Sequence, residues 1–161
     1  MTKCWRIVKK KRAAGAFSGE GSRISGGRWS LPGAPLIYCA DSLALAALEL
    51  FIRIREYGQN IEFVRFQADI PADVVIETFD KKILPPEWRI VPAPSSTKSL
   101  GSKWAEEKRT AVLRVPSVVV SDEYNIILNP LHPDFRKIII HKPPQPFTFD
   151  PRMWGAPAHS L

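Results

Sequence analysis

The stretch LIYCADSLALAALELFIRIREYG (residues 36–58) contains the clearest strand and helix in the chain, one directly after the other. Its first five residues are apolar, which is typical of a buried strand. Asp41 and Ser42 are residue types that cap helix N-termini. The Leu- and Ala-rich run 43–56 then indicates a helix, which Gly58 ends. This succession predicts a domain in which strands and helices are mixed.

The flanking sequence predicts more strands than helices. We expect further strands over residues 4–8, 61–69, 74–78, 112–120 (interrupted at Pro116 and Ser117) and 138–141, and a helix over residues 98–109. We expect connecting segments over residues 9–35 (glycine-rich), 85–96 (proline-rich) and 125–133 (an Asn- and Pro-rich turn), and a proline-rich tail from Lys142 that wraps the surface. The prediction is an α+β fold in a single domain, residues 1–161.

Composition places the chain among globular proteins without a membrane span. Hydrophobic residues make up 45% of the 161 positions, which suffices for a core. The sequence contains no run of 18 apolar residues, so it does not predict a transmembrane helix. The basic run 9–12 follows the first apolar residues, whereas a secretory signal has its basic residues first. We therefore expect a cytoplasmic protein.

The net charge of +7 is compatible with three kinds of partner: a nucleic acid, an anionic small ligand and an acidic protein. No zinc-finger spacing and no RNA-binding aromatic motif accompanies the charge. A basic nucleic-acid-binding protein is a distant alternative, because it leaves Glu49 and the run Gly26–Trp29 unexplained. Charge alone does not choose among the three.

The cysteines and histidines indicate neither a metal site nor a disulfide framework. Cys4 and Cys39 lie in apolar, strand-like contexts, and we expect inert buried thiols. The histidines at positions 132, 141 and 159 have no metal-ligand spacing.

Arg28 and Tyr38 are candidates for ligand binding. Arg28 follows Gly26 and Gly27, and glycines let the main chain approach a ligand while a guanidinium binds an anion such as phosphate. A surface turn with a solvated arginine is the alternative. Tyr38, in the middle of a strand, is either a core aromatic or a stacking platform for a flat ring.

Glu49 is the only ionisable side chain between Leu43 and Ile52. A buried carboxylate is unfavourable without a partner, so its presence in this apolar helix indicates a function. Alternatively, it lies on the solvated face and pairs with Arg53 at i+4. The pattern does not decide between the two.

Ser117, Asn125 and His132 are three further candidates. Ser117 follows a proline inside an apolar strand, and such a break in local preference marks either a functional site or a serine bonded to the main chain. No Gly-x-Ser-x-Gly pattern surrounds it, so a hydrolase nucleophile elbow is not indicated. Asn125 suits an amide or a ribose hydroxyl but also suits a turn. His132, between prolines, is a candidate base or a turn cap.

In their order along the chain, these motifs resemble the RES domain family. The resemblance extends from about Trp5 to His141 and rests on FSGEGSRISGGRW (residues 17–29), Tyr38, Glu49 in its Ala/Leu helix, VPSV (115–118) and NIILNPLHP (125–133). The arginine, glutamate and serine that name the family correspond to Arg28, Glu49 and Ser117. Ser30 stands where the family often has asparagine, which puts one binding detail in question.

The resemblance implies a fold similar to ADP-ribosyltransferases, with small mixed β-sheets and a few flanking helices. It implies a NAD-degrading toxin, with NAD as substrate rather than cofactor, and an Xre-type antitoxin that blocks the active site. Self-association is implied, and contact with nucleic acid only through the antitoxin. Some members hydrolyse NAD, some use phosphate as acceptor, and some transfer ADP-ribose to a protein. The expected activity is that of a NAD glycohydrolase or NAD phosphorylase, and a protein ADP-ribosyltransferase is the alternative.

The resemblance also implies roles for the candidate residues. We expect Arg28 to bind the pyrophosphate and Tyr38 to stack on the nicotinamide ring. Glu49 is expected to bind a ribose hydroxyl and to stabilise the positive charge that develops at the anomeric carbon. Ser117 and Asn125 are expected to position the ribose or the carboxamide.

Two segments outside these motifs also receive an expectation. Arg6 is a candidate second phosphate ligand. The glycine-rich loop 9–35 is the natural lid over a small-molecule site.

Overall fold

The computed structural model describes residues 1–55 and 57–155. Its helices are α1 (Glu20–Ser25), α2 (Leu43–Ile54) and α3 (Ser95–Glu106). Its strands are β1 (Thr2–Lys9), β2 (Ile37–Ala40), β3 (Phe63–Ile70), β4 (Ile76–Thr78), β5 (Val112–Pro116), β6 (Tyr124–Leu128), β7 (Ile139–Ile140) and β8 (Gln145–Phe147). Short 3-10 turns span Lys10–Gly15, Gly58–Asn60, Lys81–Ile83, Pro133–Lys137 and Pro151–Trp154. No helix in this described part of the chain is long and apolar enough to cross a membrane.

The eight strands join in one sheet, in the order β4-β5-β6-β2-β1-β3-β7, with β8 also paired to β3. β4 and β5 run parallel, and the other neighbours are antiparallel. The α+β class is therefore confirmed, although the strands form one connected sheet where several small sheets were expected.

Helices α2 and α3 cover one face of this sheet. Apolar side chains of α2 pack on Ile7 and Ala40, whereas Trp104 of α3 packs with Leu113 and Ile127. The start of α2 is fixed by the cap that the sequence predicts, since Oγ of Ser42 accepts a 3.0 Å hydrogen bond from the Leu45 N–H. This face carries the candidate site.

The opposite face is closed by loops instead of long helices. Cys4 and Cys39 are buried there as free thiols, together with Val112 and Ile126. Phe17 from the glycine-rich segment and Phe135 from a 3-10 turn pack against this cluster. The expectation of buried thiols is confirmed.

The predicted turn over residues 125–133 is wrong in its first half. Residues 124–128 form β6, which pairs with β2 on one side and β5 on the other. Ile126, Ile127 and Leu128 are almost completely buried. Burial of three consecutive apolar side chains outweighs the turn preference of the neighbouring asparagines.

The predicted loop 9–35 contains more regular structure than expected. A six-residue helix, α1, lies between Gly19 and Gly26, which have φ values of 74° and 69°. Gly19 precedes the helix and Gly26 follows it, so the glycines mark its two ends. Both adopt a positive φ, which glycine does at no steric cost. Arg23 and Glu20 form an ion pair on its exposed side.

Other boundaries differ by a few residues from the sequence prediction. The strand predicted over 112–120 ends at Pro116, and the helix predicted over 98–109 occupies Ser95–Glu106. The proline-rich tail contributes β8, and Phe147, Phe149 and Trp154 pack against the α2 cluster. Position 56, where the helix prediction ended, and the end of the tail, residues 156–161 with His159, lie outside the described residues.

Candidate functional site

The carboxylate of Glu49 is the centre of a cluster that joins three elements. Its Oε1 accepts a 2.8 Å hydrogen bond from Oγ of Ser117 and a 2.7 Å hydrogen bond from Nδ2 of Asn125. Within the described residues, Oε2 forms no hydrogen bond. Both hydrogen bonds therefore orient the carboxylate through the same oxygen.

The fold brings these three residues together from distant parts of the sequence. Glu49 lies in the second half of α2, Asn125 lies in β6, and Ser117 comes directly after β5. β5 and β6 are paired with Val115 opposite Asn125, so the end of β5 lies beside the asparagine. The helix supplies the acid, and the strand pair supplies the two donors.

Ser117 is completely buried and uses its hydroxyl three times. Oγ accepts 3.0 Å hydrogen bonds from the N–H groups of Val119 and Val120, while it donates to Glu49. The main-chain bonding that the sequence suggested for this serine is present, and its hydroxyl also contacts Glu49, while its role in a functional site stays a prediction. Its local function is to shape the turn that follows β5.

Glu49 and Arg53 do not form the i+4 side-chain ion pair that was the alternative interpretation of Glu49. Nε of Arg53 instead donates a 3.2 Å hydrogen bond to the main-chain carbonyl of Glu49. The Glu49 carboxylate is half-buried and points to Ser117 and Asn125. A half-buried acid with two neutral side-chain donors does not lie on a fully solvated helix face, and the two donors offset the cost of its burial.

Arg28 is held by the main chain of a segment about sixty residues away. Its Nη1 donates hydrogen bonds of 2.9 Å to the Trp88 carbonyl and 2.8 Å to the Ile90 carbonyl. The carbonyl of Arg28 itself accepts a 2.7 Å hydrogen bond from Oγ1 of Thr97, which is buried in α3. Arg28 is therefore not the freely solvated arginine of the alternative interpretation.

The negative charge of Glu49 acts on the guanidinium of Arg28. Burial lowers the pKa of the Arg28 guanidinium, and the negative charge of Glu49 acts in the opposite direction. Arg28 and Glu49 each keep side-chain atoms that form no hydrogen bond to the described residues. Such a pair is suited to a ligand that is anionic at one end and develops positive charge at the other.

Tyr38 organises the glycine turn that carries Arg28. Its hydroxyl bonds to Oγ of the buried Ser30 at 2.7 Å and accepts a 3.2 Å hydrogen bond from the Trp29 N–H. A Cβ on Gly27 would lie 2.7 Å from the Tyr38 ring, so this close approach requires glycine. Burial raises the pKa of Tyr38 to about 12.

Tyr38 also shares a sheet face with the Glu49 cluster. Ala40 of β2 is paired with Asn125, and Tyr38 lies two residues earlier on the same strand. Alternate residues of a strand point to the same face, so Tyr38 and Asn125 face the same side.

The guanidinium of Arg6 is hydrogen-bonded to main-chain carbonyls. Its Nε donates to the Ala16 carbonyl and its Nη1 to the Tyr38 carbonyl, both at 2.7 Å. Burial lowers the pKa of this guanidinium. The pairing of β1 with β2 is confined to Trp5 and Ala40, so Arg6 bridges the strands where they diverge. Its role as a phosphate ligand stays a prediction.

A comparison with known protein families identifies the chain. The model of the RES domain matches residues 3–150, nearly the whole chain. The chain belongs to the RES domain family. The resemblance noted from the sequence is thereby confirmed.

Curated RES relatives are similar over almost their entire length. The "Prs ADP-ribosylating toxin" of Sphingobium sp. (strain YBL2) is 38% identical over 94% of this chain and 96% of its own. A protein named "Toxin Res" from Yersinia enterocolitica is 37% identical over 92% of this chain and 97% of its own. Among solved structures, a chain of the M. tuberculosis MbcT–MbcA toxin–antitoxin complex superposes with a TM-score of 0.69, at 20% identity, over 96% of this chain and 87% of its own. At that identity the likeness shows a shared fold.

The three residues that name the RES family, Arg28, Glu49 and Ser117, lie in two different places in this structure. Glu49 and Ser117 are in direct contact, and Asn125 joins them. Arg28 lies on the glycine turn that Tyr38 supports.

His132 caps a 3-10 turn, because its Nδ1 accepts a 3.0 Å hydrogen bond from the Asp134 N–H. Of the two roles that the sequence suggests for this histidine, the structure shows the turn cap.

The sequence analysis did not predict the main-chain groups that hold the Arg28 side chain. The Trp88 and Ile90 carbonyls have no sequence signature, because any residue supplies a carbonyl. Gly101 did carry a signal, since it is a glycine inside a helix. A Cβ there would lie 1.7 Å from the Trp29 carbonyl oxygen, so α3 packs directly on the turn that holds Arg28.

No metal-binding group emerges from the part of the chain that the structure describes, in which no three His, Cys, Asp or Glu side chains cluster suitably. The candidate site is built from one carboxylate, one guanidinium, hydroxyls and an amide.

Proposed function

We propose that this RES protein is the toxin of a toxin–antitoxin pair and that it breaks the nicotinamide–ribose bond of NAD. The observation that carries the proposal is the carboxylate of Glu49, whose Oε1 is held by hydrogen bonds from Ser117 and Asn125. The family and the names of its relatives support the toxin role.

Arg28 binds the pyrophosphate in this proposal. Its Nη1 is used by the two carbonyls, whereas Nε and Nη2 form no hydrogen bond to the described residues. Two donors on one planar group match two phosphate oxygens, and such charge-assisted pairs are about twice as strong as neutral hydrogen bonds. Because the carbonyls fix the guanidinium beforehand, little conformational entropy is lost on binding.

Tyr38 provides an aromatic surface next to this cation. Gly27 lies close to the hydroxyl end of its ring, and the hydroxyl is bonded to Ser30 of the same glycine turn, so the ring orientation is restrained. We propose that nicotinamide stacks on the ring of Tyr38, as flat aromatic groups commonly do.

Glu49 promotes departure of nicotinamide. The bond between the anomeric carbon and the pyridinium nitrogen breaks, and its electron pair stays with nicotinamide, which leaves uncharged. The ribose carbon becomes cationic, and the free Oε2 of Glu49 binds a ribose hydroxyl and stabilises that charge. Ser117 and Asn125 keep the carboxylate in this orientation.

An acceptor then completes the reaction. Water adds to the anomeric carbon and loses a proton, which gives ADP-ribose; phosphate in the same position gives a phosphorylated ADP-ribose. Transfer to a protein side chain is the second candidate, because one relative of 38% identity is named an ADP-ribosylating toxin. The three outcomes share the bond that breaks and differ in the nucleophile.

An inhibitory partner belongs to the same proposal. The structural neighbour comes from a toxin–antitoxin complex. With a net charge of +7, this chain attracts acidic segments of a partner as well as NAD. We propose an Xre-type antitoxin that covers the site in the cytoplasm, a self-associating toxin, and contact with nucleic acid only through that antitoxin.

Chromatography of a NAD reaction tests the proposal. The purified chain, free of antitoxin, is incubated with NAD in the presence and absence of phosphate. Nicotinamide with ADP-ribose in both conditions indicates hydrolysis, and a phosphorylated product that requires phosphate indicates phosphorolysis. If a folded sample releases no nicotinamide, the self-sufficient NAD-degrading function is wrong, and protein ADP-ribosylation becomes the leading candidate.

A further inference from the structure

The segment from Trp88 to Ile90 forms one wall beside the candidate site. Its carbonyls at positions 88 and 90 both bind Nη1 of Arg28, so the residue between them, Arg89, is held next to that guanidinium. The ring of Trp88 packs near Trp29, with ring centroids 6.5 Å apart, which anchors the segment to the core.

The side chain of Arg89 extends from this wall toward Ser117. Its Nη2 lies 3.5 Å from the carbonyl of Val118, the residue that follows Ser117. Its guanidinium carbon lies 5.7 Å from the centre of the Trp88 ring, a cation–π arrangement. Arg89 thus spans the distance between the Arg28 turn and the end of β5, the two parts that carry the candidate site.

We infer that Arg89 is a second substrate-binding residue, which holds the diphosphate of NAD together with Arg28. This inference rests on the proposed function and adds to it a binding residue outside the motifs that identified the family.

Two properties of Arg89 support this role. First, the side chain is exposed, and its hydrogen bond to Val118 is long, so its donors exchange readily for phosphate oxygens. Second, the Trp88 ring restrains the guanidinium, which reduces the entropy lost when a ligand is bound.

The charge of the ligand matches two arginines. A diphosphate bridge carries two negative charges, and Arg28 alone neutralises one of them. The guanidinium of Arg89, on the segment that binds Arg28, neutralises the other and offers the planar pair of donors that phosphate binds in a bidentate manner.

Binding of ADP-ribose, measured by calorimetry, tests the inference without relying on turnover. We expect Arg89→Ala to weaken ADP-ribose binding about tenfold, as loss of a charge-assisted hydrogen bond does. Arg89→Lys keeps the charge and recovers part of the affinity. In NAD cleavage, Arg89→Ala raises KM and leaves kcat nearly unchanged, because it removes binding that the ground and transition states share.

Arg136→Ala is the matched control. Arg136 is also exposed, but it lies on the 3-10 turn Pro133–Lys137, whose Phe135 packs on the opposite face of the sheet. We expect its ADP-ribose affinity to equal that of the wild type. The melting temperature of each variant separates a binding effect from a structural one, and we expect no change for Arg89→Ala.

Three results overturn the inference in different ways. If the wild type cleaves NAD and Arg89→Ala binds ADP-ribose as tightly as the wild type, Arg89 is only a surface residue and the proposed function stands. If Arg89→Ala loses affinity together with thermal stability, and Arg89→Lys recovers neither, Arg89 only supports the loop. Failure of the wild type to bind ADP-ribose and to release nicotinamide removes the proposed function, and the inference with it.

Discussion

Glu49 and Ser117 are 68 positions apart in the sequence, yet Oγ of Ser117 donates a 2.8 Å hydrogen bond to Oε1 of Glu49. The same hydroxyl accepts hydrogen bonds from the Val119 and Val120 N–H groups. The serine therefore connects the backbone turn after β5 to the carboxylate on α2. Loss of this one atom affects both the stability of the fold and the geometry of the site.

Ser117→Ala is expected to lower both stability and activity. It leaves the Val119 and Val120 N–H groups without their partner, and an unpaired buried polar group costs about 1–3 kcal/mol. Urea denaturation measures the free energy of unfolding, and nicotinamide release measures activity. Ser99→Ala, on the exposed side of α3, is the control and should change stability by less than about 0.5 kcal/mol. Equal stability of both variants would show that water replaces the Ser117 hydroxyl.

Arg28→Lys is expected to lose most of the affinity for ADP-ribose although it keeps the charge. A lysine ammonium cannot bond to the Trp88 and Ile90 carbonyls and present a planar pair of donors to phosphate at the same time. We expect at least a tenfold rise in Kd by calorimetry, since hydrogen bonds to charged groups contribute about 1.5–3 kcal/mol. Wild-type affinity in Arg28→Lys would place the diphosphate elsewhere.

Gly101→Ala is expected to destabilise the domain and to displace the Arg28 turn. The added methyl group would meet the Trp29 carbonyl oxygen at 1.7 Å, and overpacking of this kind costs about 1–3 kcal/mol or more. Gly21→Ala is the matched control, because nothing lies within 4 Å of a Cβ there and the residue is in α1. The control should be neutral or more stable by up to about 1 kcal/mol. Thermal melting of the two variants compares them directly.

Asp69 is expected to make stability depend on acid pH. Hydrogen bonds from Gln67, and then from His141 at 2.7 Å, hold the pKa of the Asp69 carboxyl below its usual value. A depressed folded-state pKa adds stability above the unfolded pKa of about 3.9, and that stability is lost as the pH falls through the lower folded value. Urea titrations between pH 2 and pH 6 should therefore show a steeper acid decline for the wild type than for Asp69→Asn. Identical pH profiles would remove Asp69 from the acid response.

The sequence predicted the strand–helix unit that carries Glu49 because its signals are local. Apolar periodicity, the Ser42 cap and the glycine stop all lie within one short stretch. The same reasoning failed for β6, where Asn125 and Asn129 suggested a turn. The decisive factor there is tertiary, since Ile126, Ile127 and Leu128 are buried between two neighbouring strands.

The candidate site was only partly predictable for a similar reason. Residue types marked Glu49 and Ser117 as unusual, because a lone acid and a serine after a proline break local preferences. Their mutual contact depends on how α2 lies over the end of β5, which no local pattern encodes. The main-chain supports of Arg28, and with them the position of Arg89, depend on the loop after β4, whose carbonyls are independent of residue type.

Nicotinamide release by the wild type and by Glu49→Gln, side by side, tests the central claim most directly. Glutamine keeps the shape and one acceptor oxygen for Ser117 and Asn125, but it removes the negative charge. The proposal predicts that the wild type releases nicotinamide from NAD and that Glu49→Gln, with an unchanged melting temperature, does so at least about a hundredfold more slowly. Wild-type rates of nicotinamide release in a folded Glu49→Gln variant would contradict the proposal, because the carboxylate would then have no part in breaking the bond.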